Sequence, residues 1–305
     1  MDLPSDFKHA QDFQQRLAEL YTPAQVTQIL RGLSSDSARS FWYNPLKPIE
    51  PIGEYAKVPG FTDLFVAPEE DQLTYSQAAT DGHIYFQNAS SLFAARLVEA
   101  QESDEILDLA AAPGGKTIAM AAAMRNGGRL AAVEPVKGRF HRLKSNVERC
   151  GVTNVQFYQR DGRGVGRATG PRFDAVLLDA PCSSESHMRW DDSSTYAQWS
   201  PRKVKECQRK QKGLIQSAYA ALKPGGRLIY CTCSFSLEEN EMVVTYLLER
   251  TDAQLLPIEK EQEHFLDGIT QRGRKALPQS LKSTLRILPH GVWDGFYLAQ
   301  VKKPG

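Results

Sequence analysis

The feature that most constrains the fold is an alternation, beginning after Gly82, between short apolar runs and longer stretches with helical spacing. Five of the apolar runs predict strands: residues 106–109, 130–133, 155–158, 175–178 and 227–231. Strands separated by helices pair in parallel through right-handed crossovers. The sequence therefore predicts a three-layer α/β sandwich, in which ligands bind outside the carboxyl ends of the strands.

The N-terminal part has a different pattern. Phe7, Phe13 and Leu17 recur at near-helical spacing, and Thr22 followed by Pro23 is a typical helix start. Residues 34–68 are rich in aromatic residues and prolines, which favours short extended segments and turns. We interpret residues 1–80 as a small N-terminal α+β module and residues 81–305 as the main domain.

The charge of the chain is unevenly distributed. The formal net charge is only +1, but residues 1–110 carry 7 Lys and Arg against 17 Asp and Glu, and residues 111–305 carry 30 against 19. The hydrophobic fraction of 41% excludes a disordered chain, and the total charge excludes a simple polycation. A basic main domain is nevertheless compatible with a nucleic-acid partner.

Apolar content and cysteine usage bear on the cellular setting. No apolar stretch approaches the roughly 20 residues that cross a bilayer, so we expect no membrane partner. The five cysteines are an odd number, which argues against a secreted disulfide framework. We expect a monomeric, cytoplasmic protein with its cysteines as thiols.

A small-residue loop follows the first predicted strand of the main domain. It consists of Ala110, Ala111, Ala112, Pro113, Gly114, Gly115 and Lys116. A nucleoside triphosphate P-loop needs glycine at the position of Ala110, and the three spaced glycines of a dinucleotide fingerprint are absent. Glycines before a helix start suit the aminoacyl end of a small nucleoside cofactor. Lys116 could serve the active site or be solvated.

Three carboxylates stand at the ends of successive predicted strands: Glu134, Asp161 and Asp179. A carboxylate after the second strand can accept hydrogen bonds from both hydroxyls of a ribose. Each carboxylate alone could equally cap a helix or turn. Their succession after a glycine turn favours an adenosine-bearing cofactor.

Two further strand ends carry cysteines, Cys182 and Cys233. A thiolate is a strong nucleophile toward electron-poor carbons. The alternatives are buried packing or a zinc site that also uses Cys231. Zinc sites usually contain Cys-x-x-Cys pairs, which neither segment has, so we predict no metal.

Six motifs in a common order resemble one known family. They are residues 111–117, Asp179 to Cys182, Lys223 to Gly226, Thr232 to Ser234 followed by Glu239 to Glu241, Leu288 to His290, and Asp294 to Phe296. The family is that of the RNA cytosine-5 methyltransferases that use S-adenosylmethionine (NOL1/NOP2/Sun). The similarity covers about residues 80–303, and it implies a Rossmann-like methyltransferase sandwich.

The resemblance also implies roles for particular residues. Cys233 corresponds to the nucleophile that adds to carbon 6 of cytosine, and Cys182 to the thiol that helps to release the methylated base. Asp179 would hydrogen-bond the base near nitrogen 3, and Lys116 would serve the active site. In the cofactor site, residues 110–116 would surround the methionine part, Glu134 would bind the ribose, Asp161 would lie near the adenine and Asp179 near the methionine amino group.

The function implied is formation of 5-methylcytosine in structured RNA, with ribosomal RNA favoured over transfer RNA. The target base would be single-stranded or flipped out, because a base in a duplex cannot reach a thiol. Three alternatives stay open: a transfer-RNA cytosine-5 methyltransferase, a methyltransferase for amino groups that needs no thiol, and an RNA-binding assembly factor without catalysis.

Two features concern RNA contact. Residues 202–212 hold six cations and one acid, and we interpret this run as a segment that follows an RNA backbone rather than a solvated helix face. We expect Trp190 and Trp199 to stack on RNA bases. Arg272, Arg274 and Lys275 form a smaller candidate cluster.

The family commonly has Gly-x-Gly where this chain has Ser184-Glu185-Ser186. We therefore expect less backbone freedom in this loop than in the family's glycine-containing loop.

Overall fold

A computed structural model describes residues 3–34, 38–68 and 72–305. The chain divides into two compact units. The loop unit comprises residues 38–179 and 217–229, and the thiol unit comprises residues 1–37, 180–216 and 230–304. These two units do not coincide with the domain boundary predicted at residue 80. That boundary remains a prediction about domain organisation.

The described residues form α-helices and β-strands joined by loops and turns. The helices are α1 (Ala10–Ala18), α2 (Pro23–Ser34), α3 (Gln77–Thr80), α4 (Ala89–Arg96), α5 (Gly115–Ala123), α6 (Lys137–Arg149), α7 (Val165–Thr169), α8 (Pro201–Ala221) and α9 (Glu241–Leu248). The strands are β1 (Ser40–Tyr43), β2 (Leu64–Val66), β3 (Ile84–Phe86), β4 (Glu105–Asp108), β5 (Arg129–Val133), β6 (Val155–Tyr158), β7 (Phe173–Asp179), β8 (Leu222–Thr232), β9 (Gln254–Leu256), β10 (Phe265–Asp267), β11 (Gln271–Arg272), β12 (Lys275–Ala276), β13 (Leu285–Ile287) and β14 (Phe296–Lys302).

The loop unit contains the predicted parallel strands, in the order β8-β7-β4-β5-β6. Strand β4 pairs in parallel with both β5 and β7, and β5 pairs in parallel with β6. The buried faces of these strands are almost continuously apolar, with Ile106, Leu107, Val176 and Leu177 all fully buried. Such sequences are typical of strands covered on both faces. The expected α/β architecture is confirmed.

A separate antiparallel sheet, in the order β2-β1-β3, also belongs to the loop unit. Its central strand buries Phe41, which contacts the rings of Tyr43, Phe65 and Phe86. These strands account for the aromatic-rich extended segments expected from the sequence.

The thiol unit contains antiparallel strands in the order β10-β13-β14, with β9 also paired to β14. Leu285 of β13 lies opposite Leu298 of β14. In the same unit α1 and α2 contribute to an aromatic core in which Phe13 and Trp199 pack edge to face at 5.2 Å.

A buried ion pair ties the start of the chain into the thiol unit. Arg286 of β13 is 2% exposed and makes two hydrogen bonds to Glu241 of α9. The guanidinium also donates to the hydroxyl of Tyr21 and to the carbonyl of Phe235. Full pairing makes the burial of these charges tolerable. Within the described residues, no helix is long and apolar enough to span a membrane.

Candidate active site

The small-residue loop connects the end of β4 to the start of α5. Gly114 caps the helix with a φ of 111°, a conformation that side chains rarely adopt. A Cβ atom there would lie 3.2 Å from side-chain atoms of both Leu143 and Val147 on α6. Glycine is therefore required at this position by the backbone and by the packing of α6.

The start of α5 offers polar groups. Its first amides precede the first helical hydrogen bond, which the Ile118 amide donates to the Gly114 carbonyl, and amides at a helix start attract carboxylates. Thr117 donates from its hydroxyl to Asp108 Oδ2 at 2.6 Å. Burial raises the pKa of Asp108 to about 7, since no water solvates its charged form.

The three predicted carboxylates all follow strands of the loop unit, but their environments differ. Glu134 is 2% exposed, and its Oε1 accepts a hydrogen bond from the Val136 amide at 2.9 Å. Asp161 is exposed and pairs with the guanidinium of Arg163. It also caps the short helical turn that follows it. Asp161 thus caps a helical turn, which is the alternative role that the sequence left open for each of these carboxylates.

Lys116 and Asp179 form an ion pair, with Nζ and Oδ2 2.7 Å apart. The side chain of Lys116 is 11% exposed and that of Asp179 is 33% exposed. Lys116 is therefore not a solvated lysine at a helix start. This ion pair joins the start of α5 to the end of β7 within the loop unit.

The two predicted cysteines lie together in the thiol unit. Cys182 Sγ and Cys233 Sγ are 3.1 Å apart, within hydrogen-bonding distance for sulfur. The main chain supports this arrangement, because the Ala180 amide donates to the Cys231 carbonyl and the Ser186 amide donates to the Cys233 carbonyl. All five cysteines are among the described residues, and none is in a disulfide.

The surroundings of Cys182 favour its protonated form. The hydrogen bond with Cys233, burial, and the nearby charges of Cys233 and Glu239 all raise the pKa of Cys182. Either sulfur could donate the hydrogen in the contact between them.

Two buried carboxyl groups lie beside the cysteines, Glu185 and Glu239. Glu185 is 2% exposed and Glu239 is fully buried. Neither residue has a role assigned from the sequence, although Glu239 belongs to the motif at residues 239–241 and Glu185 to the Ser184-Glu185-Ser186 segment. No local pattern distinguishes a buried carboxyl from a surface one, so only the pairing of their loops in space shows their importance.

The departure from Gly-x-Gly has a structural consequence. Ser184 has a φ of 59°, in the left-handed region that glycine occupies without strain. Its neighbour Ser186 is buried, and a Cβ atom at Gly295 would come within 3.2 Å of the Ser186 side chain. The loop keeps a glycine-like backbone at Ser184 even though it has a side chain there.

The expectation that Trp199 stacks on RNA bases is wrong. Trp199 is 3% exposed, lies in the aromatic core with Phe13, and donates from Nε1 to Glu185 at 2.9 Å. Trp190 is half-buried against the same core and donates from Nε1 to the Leu30 carbonyl. These rings are structural, because buried indoles need an internal hydrogen-bond acceptor.

The basic run lies on α8. Four of its cations are exposed: Arg202, Lys205, Arg209 and Lys210. Arg202 pairs with Glu206, and Lys212 lies over the ring of Tyr246. In the smaller cluster, Arg272 is engaged by Glu19 and Glu238. In the described parts of the chain, no group of three or more potential metal ligands is arranged to hold an ion.

Comparison with known proteins identifies relatives over most of this chain. The family model of the 16S rRNA methyltransferases RsmB/F matches residues 95–302. The chain is 42% identical over 226 residues to the ribosomal RNA small subunit methyltransferase F of Vibrio parahaemolyticus, covering 73% of this chain and 45% of that protein. It is 36% identical over 260 residues to the 28S rRNA (cytosine(4447)-C(5))-methyltransferase of Homo sapiens, covering 84% of this chain and 31% of that protein. The chain thus spans less than half the length of these relatives.

Solved structures support the same assignment. A methyltransferase homolog protein from Pyrococcus horikoshii matches with a TM-score of 0.82 and 28% identity, over 97% of this chain and 96% of that one. NSun6 from the same organism has a TM-score of 0.81 at 21% identity, over 98% of both chains, and shows the fold alone. The Rossmann-like fold and the resemblance drawn from the motifs are confirmed. The chain belongs to the RsmB/F family of 16S rRNA methyltransferases, within the NOL1/NOP2/Sun group.

Proposed function

We propose that this protein transfers a methyl group from S-adenosylmethionine to carbon 5 of a cytosine in RNA, through a covalent adduct between Cys233 and carbon 6. The observation that carries the proposal is the thiol pair, in which the sulfur atoms of Cys182 and Cys233 lie 3.1 Å apart. A methyltransferase for amino groups needs no such pair. Membership of the RsmB/F family supports the same chemistry.

The residues of the loop unit suit S-adenosylmethionine by their chemistry. The amides at the start of α5 can bind the carboxylate of the methionine part, and the buried Glu134 can accept hydrogen bonds from ribose hydroxyls. Asp179 and Asp161 supply acceptors for the methionine amino group and the adenine. We propose residues 110–116 as the part of the chain that surrounds the methionine end. When bound, the cofactor supplies an electrophilic methyl group.

The protein's own residues then act on the base. Cys233 Sγ forms a bond to carbon 6, and the electron pair of the ring double bond moves to carbon 5, which becomes the nucleophile. Asp179, paired with Lys116, hydrogen-bonds the base near nitrogen 3 and favours electron flow into the ring. Solvent water then takes the proton from carbon 5, the electrons of that C–H bond re-form the ring double bond, and the carbon–sulfur bond breaks with its electrons returning to Cys233. The thiol of Cys182 stabilises the departing sulfur by donating a hydrogen bond.

We propose α8 as one surface that contacts the RNA backbone. Its exposed cations Arg202, Lys205 and Arg209 lie three and four residues apart, so they share a face of the helix. Because Trp190 and Trp199 are packed in the core, this contact is electrostatic and should weaken with salt. Replacing the three cations by Gln should lower RNA affinity and reduce its salt dependence, without changing the rate at saturating RNA.

The reaction is tested by methyl transfer to cellular RNA, with product nucleosides identified by mass spectrometry. We expect 5-methylcytosine from the wild type and none from Cys233→Ala. Cys182→Ala should accumulate a covalent protein–RNA adduct on a denaturing gel, because attack continues while release slows. Cys150→Ala is the matched control, since Cys150 is a buried thiol of the loop unit.

Two outcomes would change the proposal. Full activity in Cys233→Ala would exclude the covalent mechanism and favour transfer to an amino group. Cofactor binding without transfer to any RNA would favour an RNA-binding assembly factor. Bisulfite sequencing of total RNA with and without the protein then separates ribosomal RNA, the proposed substrate, from transfer RNA.

A further inference from the structure

The cysteine loops of the thiol unit are joined by buried carboxyl groups that the proposed reaction does not use. Glu239 accepts a hydrogen bond from the Ser183 amide at 2.9 Å and one from the Ser183 hydroxyl. Its Oε2 also lies 2.7 Å from Ser234 Oγ. Ser183 follows Cys182 and Ser234 follows Cys233 in the sequence. One carboxyl group therefore contacts the residue after each thiol.

Glu185 completes the arrangement from the Cys182 side. It lies three residues after Cys182, yet its carboxyl oxygens accept hydrogen bonds from the Phe235 amide at 2.7 Å and the Ser236 hydroxyl at 2.6 Å. It also contacts Ser234 Oγ at 2.9 Å. Each cysteine loop is thus held to the other through both carboxyl groups, because serine and amide donors of one loop face acceptors of the other.

Hydrogen counting supports a proton on the pair. Ser234 Oγ contacts Glu239 Oε2 and Glu185 Oε2, and it already accepts from the Ser236 amide at 3.1 Å. A hydroxyl has one hydrogen, so it can donate to only one of the two carboxyl groups. The second contact is a hydrogen bond only if a carboxyl group supplies the hydrogen. Otherwise a buried carboxylate would face an oxygen lone pair, which is costly.

The electrostatic surroundings of Glu239 assign this hydrogen to it. The two carboxyl groups have four hydrogen-bond contacts each, and those of Glu239 include Gln211 Nε2 at 3.0 Å. Burial and the charge of Glu185 raise the pKa of Glu239 to about 7. Other titratable groups that face Glu239 include Cys182, Cys207 and Tyr230, all of them neutral when protonated.

We propose that Glu239 and Glu185 share one proton through Ser234, and that this pair is a pH-dependent clamp that positions the Cys182 and Cys233 loops for reaction. Glu239 hydrogen-bonds Ser234, whose hydroxyl donates to Glu185. When Glu239 ionises, two buried carboxylates repel each other and Ser234 can no longer bridge them. The loops then separate and the thiol pair is lost. Both glutamates act through the cysteines, so they are positioning residues.

The test compares Glu239→Gln with Glu239→Ala. A glutamine amide can donate to Ser234 at every pH, so it mimics the protonated clamp, whereas alanine removes the clamp. The readout is the rate at which diamide oxidises Cys182 and Cys233 to a disulfide in the full chain, followed by peptide mass spectrometry at pH 6 and pH 8.5. The ratio of variant to wild-type rate cancels the general effect of pH on thiol reactivity.

We expect the Glu239→Gln ratio to be near one at pH 6 and to rise about threefold or more at pH 8.5, because only the wild-type clamp opens. Glu239→Ala should be slower than Glu239→Gln at both values. Glu238→Gln is the matched control, since Glu238 pairs with Arg16 and Arg272 instead. Its ratio should not depend on pH. A pH-independent ratio for Glu239→Gln, or a rate as low as that of Glu239→Ala, would overturn the clamp.

The clamp rests on the proposed function only for its effect on catalysis. If the protein is the proposed methyltransferase, the wild-type turnover number should fall above about pH 7. The turnover number of Glu239→Gln should not fall in this range, and KM for RNA should be unchanged. If the wild type transfers no methyl group, the proposed function fails, but the diamide ratio still tests the clamp. If transfer occurs and both enzymes have the same pH profile, the clamp alone fails.

Discussion

The sulfur atoms of Cys182 and Cys233 lie 3.1 Å apart although the two residues are 51 positions apart in the sequence. One follows β7 and the other follows β8, so the contact depends on the ends of two separate strands. A disulfide needs about 2.05 Å between sulfur atoms, so only about 1 Å of movement separates the thiol pair from a disulfide.

This distance predicts that mild oxidation inactivates the protein. Diamide should remove two of the five thiols and join Cys182 to Cys233, with diamide itself reduced to the hydrazine. Methyl transfer should stop and should return after treatment with dithiothreitol. Peptide mapping under non-reducing conditions identifies the pair. Persistence of five thiols after diamide treatment would contradict the geometry.

The ion pair between Lys116 and Asp179 predicts a defect that is specific to one end of β7. Asp179→Asn should lower the turnover number by about 100-fold or more, because Lys116 loses a charged partner and, in the proposed reaction, the base loses a charged acceptor. Asp174→Asn is the matched control, since Asp174 is on the same strand and pairs with Lys223 at 2.8 Å. Equal losses in the two variants would show that the effect is structural rather than catalytic.

The left-handed backbone at Ser184 predicts an order of stability. Ser184→Val should lower the free energy of unfolding by about 1–2 kcal/mol, because a β-branched side chain is strained at this φ. The free energy of unfolding of Ser184→Gly should lie within about 1 kcal/mol of the wild-type value, because relief of strain in the folded state offsets the greater conformational freedom of glycine in the unfolded state. Chemical denaturation measures both. A glycine variant less stable than the valine variant would rule out strain at this position.

The buried carboxyl of Asp108 predicts a pH-dependent stability. Its pKa is raised from 3.8 to about 7 in the folded state, so between these values the folded chain binds a proton that the unfolded chain releases. The free energy of unfolding should therefore fall as pH rises from about 4 to about 7 and then level off. Asp108→Asn cannot ionise and should reduce this slope, by up to about 1.4 kcal/mol per pH unit. Parallel curves for the two proteins between pH 4 and pH 7 would mean that Asp108 is charged when folded.

Much of the loop unit could be predicted from the sequence. The predicted start of the first main-domain strand differs from the observed β4 by one residue, and residues 155–158 were predicted as a strand that the structure has as β6. Strand β4 has an apolar centre and is largely buried, and β6 keeps three apolar residues although it is only partly buried, so composition marks both. The glycine turn, Glu134 and Asp179 were likewise predictable as strand-end features. The strands β9 to β14 were not predicted as strands, because most of them are short antiparallel segments that lack a periodic signal.

The sequence by itself determined which residue types stand at the carboxyl ends of the parallel strands, since period and composition are local properties. Only the tertiary structure decided what those residues do to each other. Trp199 belongs to the core rather than to the surface, Lys116 is paired rather than solvated, and the sulfur atoms of Cys182 and Cys233 are in contact. Burial and the distance to a partner set protonation and hydrogen bonding, and both depend on residues far apart in the sequence.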